Sequence, residues 1–295
     1  MIPKYIDIHS HVNFKAFDVD RDEVIRRALE SGTWMINVGT QIDTSKSAVE
    51  LAEKYEEGVY AIIGLHPIHT HASYHDEDEL GKGNKEFSSR GEIFNKEVYR
   101  KLLEDKKAGG KIVGIGERGL DYYRCTPESI SKQKEAFKSQ IELAKEFNLP
   151  LMLHVRNSEK KSTPPDRALL NEGNFNAYAD TLEILKQHPG VRGNMHFFAG
   201  DLQVAKSFLD LGFTLSFTGV ITFTHDYDEI IRNTPLDMIM SETDSPYVAP
   251  VPHRGKRNEP FYVKEVVKKI AEIKNLTESE VAKAIITNAK RVFTF

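Results

Sequence analysis

The chain has 295 residues, 40% of them hydrophobic and 28% charged, with 40 Lys and Arg against 44 Asp and Glu for a net charge of -4. That balance suits an ordinary globular protein and gives no global attraction to nucleic acid or an anionic membrane, so a polyanionic substrate needs a local basic patch. The lone cysteine, Cys125, excludes an internal disulfide and fits a reducing compartment. The N-terminus enters a strand pattern without the basic and apolar regions of a signal peptide, and no window nears the roughly 18 apolar residues of a membrane span. The expected location is cytoplasmic, or nuclear in a eukaryote, with no membrane contact.

The first stretch with strand character is Tyr5-Ile6-Asp7-Ile8-His9-Ser10-His11. Side chains alternate across a strand, so Tyr5, Asp7, His9 and His11 share one face and Ile6 and Ile8 the other. A helical spacing follows over Asp20 to Ser31, then a β-branched run through Trp34, Ile36 and Val38, a second helix from Thr44 to Tyr55, and a strand from Val59 to Gly64. The alternation continues with a helix near Lys96 to Lys106, a strand over Lys111 to Ile115, a long helix from about Glu128 to Phe147 and a strand over Leu149 to His154. A helix near Asp180 to Gln187, a strand at Val191 to His196, a helix from Asp201 to Leu211, and strands at Phe213 to Phe217 and Asp237 to Ser241 complete the series. Helices from about Phe261 and Thr277 close the chain.

Eight strands, mostly each followed by a helix, predict an α/β fold: a (β/α)8 TIM barrel forming one domain over 1–295, with insertions in the βα loops. The insertions are His69 to Gly91 and Asn157 to Asn176, both polar and loop-like. They follow strands on the side where barrel active sites lie, and we read them as solvated.

The metal-competent side chains fall at strand ends. Glu117 follows the fourth strand on the face of Val113 and Ile115; His154, His196 and Asp244 follow the fifth, sixth and eighth; His9 and His11 end the first. In a barrel these C-terminal ends converge, so His9, His11, Glu117, His154, His196 and Asp244 predict a metal centre. Their number exceeds the needs of one tetrahedral ion with an open position, which points to two divalent ions bridged by Glu117. Asp244 is placed to bind metal and to take a proton from an activated water, making Glu117 and Asp244 the catalytic candidates. The mixed donors suit Mg, Mn or Zn. Asp7 and Glu242 are read as accepting hydrogen bonds from imidazole N–H groups. His66, closing the third strand, reaches the site as a substrate contact; His69 and His71 are read as solvated loop residues. Arg254, in a basic cluster after Asp244, and Arg156 are candidates to hold a substrate phosphate.

The motifs together resemble the TatD-like family of metal-dependent deoxyribonucleases in the amidohydrolase superfamily. The resemblance rests on Asp7 to His11, Gly64 to Pro67, Gly116 to Tyr122, His154 to Arg156, His196 to Gly200, Glu242 to Tyr247 and Ala249 to Pro260, and covers nearly the whole chain. It implies a divalent-metal-dependent hydrolase of DNA phosphodiesters, often a 3'-to-5' exonuclease, with ligands at the six positions named above. Asn13, Asn157 and Thr224 depart from the family's usual aspartate, acidic residue and lysine; none is a proposed ligand. The alternatives are another amidohydrolase reaction on a small phosphoester, lactone or amide, an aminoacyl-tRNA deacylase, or a non-catalytic binding protein. The expected partner is DNA as substrate.

Overall fold

The structure is a computed structural model that describes residues 2–75, 87–105, 110–158 and 175–295. Its centre is a parallel sheet of eight strands: β1 (Tyr5–Ser10), β2 (Thr33–Val38), β3 (Val59–Ile63), β6 (Ile112–Asp121), β7 (Leu151–Arg156), β8 (Gly193–Met195), β9 (Thr214–Phe217) and β10 (Ile239–Ser241), adjacent in that order. Helices lie between them: α1 (Arg21–Glu30), α2 (Ile42–Glu53), α3 (Lys96–Glu104), α4 (Pro127–Glu146), α5 (Ala177–Lys186), α6 (Leu202–Asp210) and the short α7 (Asp228–Asn233). Two more, α8 (Val263–Lys274) and α9 (Glu278–Phe293), follow β10 and cover β1 and β10 from outside.

The strands are buried on both faces, as a parallel sheet under helices requires. In β1, Ile6 and Ile8 are fully buried, and so are Asp7 and His9. The ring closes between β1 and the segment after β10. There Asp244 N donates to His9 O at 2.9 Å and His11 N to Ser245 O at 2.8 Å, with Ser10 bridging Ser245. This is the predicted barrel, nearly closed, and closure occurs at the residues that carry the chemistry. No described helix is long and apolar enough to cross a membrane.

Three local features differ from the sequence reading. The fourth barrel strand does not stop at Ile115 but runs to Asp121, with one extra residue between Ile115 and Arg118 relative to β7. Such a bulge re-aims the side chains beside it. Arg118 points outward, its Nη1 donating to Phe137 O at 3.3 Å and its guanidinium over the Phe137 ring, while Glu117 points inward. Second, part of the His69 to Gly91 insertion is an antiparallel pair, β4 (Ala72–His75) and β5 (Phe87–Arg90), rather than a solvated loop; residues 76–86 lie outside the described residues. Third, His69 is buried at 8% exposure, its Nδ1 3.2 Å from Ser89 Oγ on β5, because that hairpin folds back over it. The other insertion, Asn157 to Asn176, falls largely on residues outside the described set.

Candidate metal centre

Glu117 sits at the middle of the barrel mouth, 4% exposed. Its Oε2 lies 3.3 Å from His9 Nε2 and 3.7 Å from His11 Nε2. Its Oε1 lies 3.0 Å from His154 Nδ1, 3.1 Å from His66 Nε2 and 3.5 Å from His196 Nε2. Asp244 completes the first side, its Oδ1 3.4 Å from His11 Nε2 and 3.8 Å from His9 Nε2. Each oxygen of one carboxylate therefore faces its own set of nitrogen donors. The structure brings together all six residues that the strand ends predicted.

The outer nitrogen of each ring decides which way its lone pair points. His11 Nδ1 sits 2.9 Å from Val38 O, an acceptor only, so Nδ1 carries the hydrogen and the Nε2 lone pair faces inward. His154 Nε2 is 2.8 Å from Asp121 Oδ2, which leaves Nδ1 to face Glu117. His196 Nδ1 is 2.8 Å from Glu242 Oε1, which leaves Nε2 inward. His9 has its Nδ1 buried without a hydrogen-bond partner and stacks on His196 with centroids 3.5 Å apart. His66 is the reverse case. Its Nδ1 accepts from Ile68 N at 3.2 Å, so Nε2 carries the hydrogen and donates toward Glu117. It can offer a proton to an anionic oxygen but not a lone pair to a cation.

The backing residues show what holds this set. Glu242 accepts from Phe197 N through Oε1 at 2.8 Å and from Ser216 Oγ through Oε2 at 2.7 Å, which fixes its Oε1 2.8 Å from His196 Nδ1. Asp7 is a correction: its carboxylate does not meet an imidazole N–H. It accepts instead from the backbone N–H of His9 at 3.2 Å and of Thr243 at 2.9 Å, and from the Thr243 hydroxyl, so it ties β1 to the Asp244 segment. The bulged register beyond Asp7 turns its side chain to those amides. Asp121 was missed by the sequence reading. Its signal was the i, i+2, i+4 alternation of Glu117, Gly119 and Asp121, visible only if the strand extends past Ile115. Asp244 itself has φ of 54°, a left-handed conformation uncommon outside glycine and held here by its bond to His9 O.

The electrostatics favour a cation at this site. Glu117, Asp121, Glu242 and Asp244 are buried or nearly so, and none pairs with Lys or Arg among the described residues; Asp7 stands apart, its carboxyl pushed well up by burial. Burial pushes Glu117 up, but His66, His196 and His9 together hold it well below the usual carboxylate range. Burial works against a charged His154, yet its contacts to Asp121 and Glu117 raise it to about 9. His196 rises to about 10 against the same burial, through Glu242 and Glu117. His9 is pushed down to about 4 by burial and by His196. The donor spacings fit a cation: ligands at 2.0–2.1 Å in a tetrahedron stand roughly 3.3 Å apart, and the His9, His11, Asp244 and Glu117 atoms are separated by 3.2 to 3.8 Å. Buried imidazole nitrogens facing each other at 3.2 Å, as His9 and His11 do, are reconciled by an ion between them.

The remaining predicted contacts lie around the rim. Arg254 is exposed, with its Cζ 4.0 Å from the centre of the Phe223 ring and Nη1 donating to Ala249 O. Arg156 lies over Tyr123 at 3.9 Å. Of the residues that depart from the family pattern, Asn13 donates to Val38 O and Thr44 O, Asn157 Oδ1 accepts from the N–H of Ala177 at the start of α5, and Thr224 accepts from Asp226 N. All three stitch loops.

The family model described as "TatD related DNase" matches residues 6–294. A Bacillus subtilis protein, the uncharacterized metal-dependent hydrolase YabD, is 36% identical, the alignment covering 97% of this chain and 98% of that one. The Escherichia coli uncharacterized metal-dependent hydrolase YcfH is 30% identical, with 98% and 95% covered. Among solved structures, the TatD homolog YJJV of Escherichia coli superposes with a TM-score of 0.76 at 26% identity over 100% of both chains.

Proposed function

The chain belongs to the TatD related DNase family of metal-dependent hydrolases, and from that premise we propose that it hydrolyses DNA phosphodiester bonds at a site for two divalent ions, releasing nucleotides from a 3' end. The observation that carries the reading is the division of Glu117, with Oε2 toward His9 and His11 and Oε1 toward His154 and His196. His9, His11 and Asp244 would hold one ion, His154 and His196 the other, with Glu117 shared. Divalent ions supply Lewis acidity there, making water acidic enough to lose a proton near neutral pH and drawing charge from phosphoryl oxygens.

The protein's own groups do the rest. Asp244, 13% exposed and kept ionised against burial by the His11, His196 and His9 rings, accepts the proton as water attacks phosphorus and the P–O3' bond breaks. His66 Nε2–H donates to a phosphate oxygen once Glu117 is engaged elsewhere. Arg254 and Arg156 hold phosphate charge at the rim, where a net acidic surface offers none.

The test is release of nucleotides from 3'-labelled single- and double-stranded DNA with Mg, Mn or Zn, beside a Glu117→Gln variant and a metal analysis of both. We expect two ions per wild-type chain and a loss of at least about 10³-fold in kcat for the variant, the scale of removing a charge-stabilising group. Equal release by the two proteins, or none by the wild type with any of these metals, would sink the proposal.

A further inference from the structure

We propose that Gln133 and Gln140, on one face of α4, are positioning residues for two different parts of the mouth: Gln140 sets the proton donor His66, and Gln133 sets His154 through Asp121. The part given to His66 rests on the phosphodiester reading above. Each glutamine acts by gripping main chain, not by meeting substrate.

β3 and β6 pair from Ala61 with Ile112 to Ile63 with Ile115. Past that point both run on toward the mouth, β3 into Gly64, Leu65 and His66 and β6 to Asp121, with main-chain groups that a buried site cannot leave unpaired. Gln140 meets the need at Leu65: its Oε1 accepts from Leu65 N at 2.9 Å and its Nε2 donates to Leu65 O at 3.0 Å. Gln133 repeats the arrangement at Asp121, its Oε1 accepting from Asp121 N and its Nε2 donating to Asp121 O, both at 2.8 Å. A carboxamide carries an acceptor and donors on one carbon, so each glutamine stands in for a strand neighbour at a single residue.

The spacing makes the two grips one device. Gln133, Phe137 and Gln140 stand at i, i+4 and i+7, on one side of a helix and about 10 Å from first to last. Between the glutamines, Phe137 O accepts from the outward Arg118, the residue next to Glu117. Both glutamines are buried, at 2% and 1% exposure, so water does not compete for these bonds. Gly64 leaves the room that Gln140 needs: a Cβ there would lie 2.7 Å from Gln140 Oε1. From each grip the path to the centre is short. Leu65 precedes His66, whose Nε2 is 3.1 Å from Glu117 Oε1, and Asp121 Oδ2 is 2.8 Å from His154 Nε2. The two paths end on different chemistry. His154 turns a lone pair inward for a cation, whereas His66 offers only a proton.

That difference sets the test. Ring N–H resonances of the full chain, labelled with 15N-histidine, are recorded in EDTA; Mn binding is followed by calorimetry, and nucleotide release from 3'-labelled DNA is measured at saturating Mn. The variants are Gln133→Met and Gln140→Met, which keep the side-chain length and lose both bonds, and Leu143→Ala, a buried apolar truncation on the same helix. We expect Gln133→Met to shift the His154 Nε2–H resonance and weaken Mn binding about 10- to 100-fold, with the His66 resonance in place. Gln140→Met should shift the His66 Nε2–H resonance and leave Mn affinity within about 2-fold of wild type, while kcat falls about 10²-fold. Leu143→Ala should lower Tm and change neither resonance, affinity nor kcat. Gln133→Asn and Gln140→Asn, whose carboxamides are one carbon short, should show the same split at smaller amplitude, and they decide the matter should a Met variant not fold. Effects that run parallel in all variants and follow Tm alone would overturn the assignment. If resonances and Mn affinity split as expected yet the wild type releases no nucleotide with Mg, Mn or Zn, the positioning stands and the hydrolysis reading falls. If the wild type hydrolyses DNA through Glu117 while Gln140→Met keeps both kcat and the His66 resonance, the positioning falls and the hydrolysis reading stands.

Discussion

Gly119→Ala tests the geometric basis of the centre. Gly119 pairs with His154 across β6 and β7 and has a φ of 142°. A Cβ built there would lie 2.0 Å from His154 O and 3.0 Å from His154 C, where real Cβ contacts do not fall below 3.0 Å. The two strands must therefore part by about 1 Å at this pair, or the backbone must twist out of its register. Overpacking of this kind costs about 1–3 kcal/mol, and the backbone conformation adds about 1 kcal/mol or more for a residue with a side chain. Taking about 3 kcal/mol in all, Tm should fall by roughly 6 °C in a chain of this size. The displaced segment carries His154, whose Nδ1 stands 3.0 Å from Glu117. A 1 Å misplacement of a reacting constellation costs about 10²-fold in rate, so kcat should fall by that order even at temperatures where the variant is fully folded. Thermal unfolding by circular dichroism and metal-dependent turnover measure the two effects separately. A variant within about 1 °C of the wild-type Tm and with unchanged kcat would refute the claim that strand contact at Gly119 sets the position of His154.

Further expectations concern charge and support. In metal-free protein, His154 and His196 are raised from 6.5 to about 9 and about 10. Their contribution is complete below about pH 6.5 and is lost as pH rises through those values. His9, lowered to about 4, makes stability fall as pH drops from 6.5 toward 4. Denaturant unfolding in EDTA should thus show a maximum near pH 6.5 and an alkaline decline of at least about 3 kcal/mol, the size of the His154 shift alone, with His196 adding to it. Saturating Mn should abolish that decline, since a bound ion takes the place of the protons; a metal-free profile flat to pH 10 would contradict it. Glu242→Gln replaces an oxygen acceptor among His196 Nδ1, Phe197 N and Ser216 Oγ and should weaken metal binding about 10- to 100-fold by calorimetry. Asn258→Ala removes the buried amide that donates to Thr243 O, Tyr247 O and Val248 O. The orphaned carbonyls should cost about 3 kcal/mol, read as a lower Tm, and loosen the turn that carries Asp244.

The sequence by itself determined the order of the barrel's strands and helices, the barrel, and the placing of His9, His11, Glu117, His154, His196 and Asp244 toward the C-terminal side of its strands. These follow from local rules: side chains alternate with a period of two along a strand, and parallel strands in a barrel end on one face. Only the tertiary structure decided what each residue touches. The extra residue in β6 extends that strand to Asp121 and turns Arg118 outward. Asp7 binds the amide and hydroxyl of Thr243, more than two hundred residues away, instead of an imidazole. The Ile68 amide fixes the tautomer of His66, and pairing of β4 with β5 buries His69. A bulge, a tautomer and the partner of a buried carboxylate depend on groups brought together by barrel closure, and no periodicity along the chain encodes that meeting.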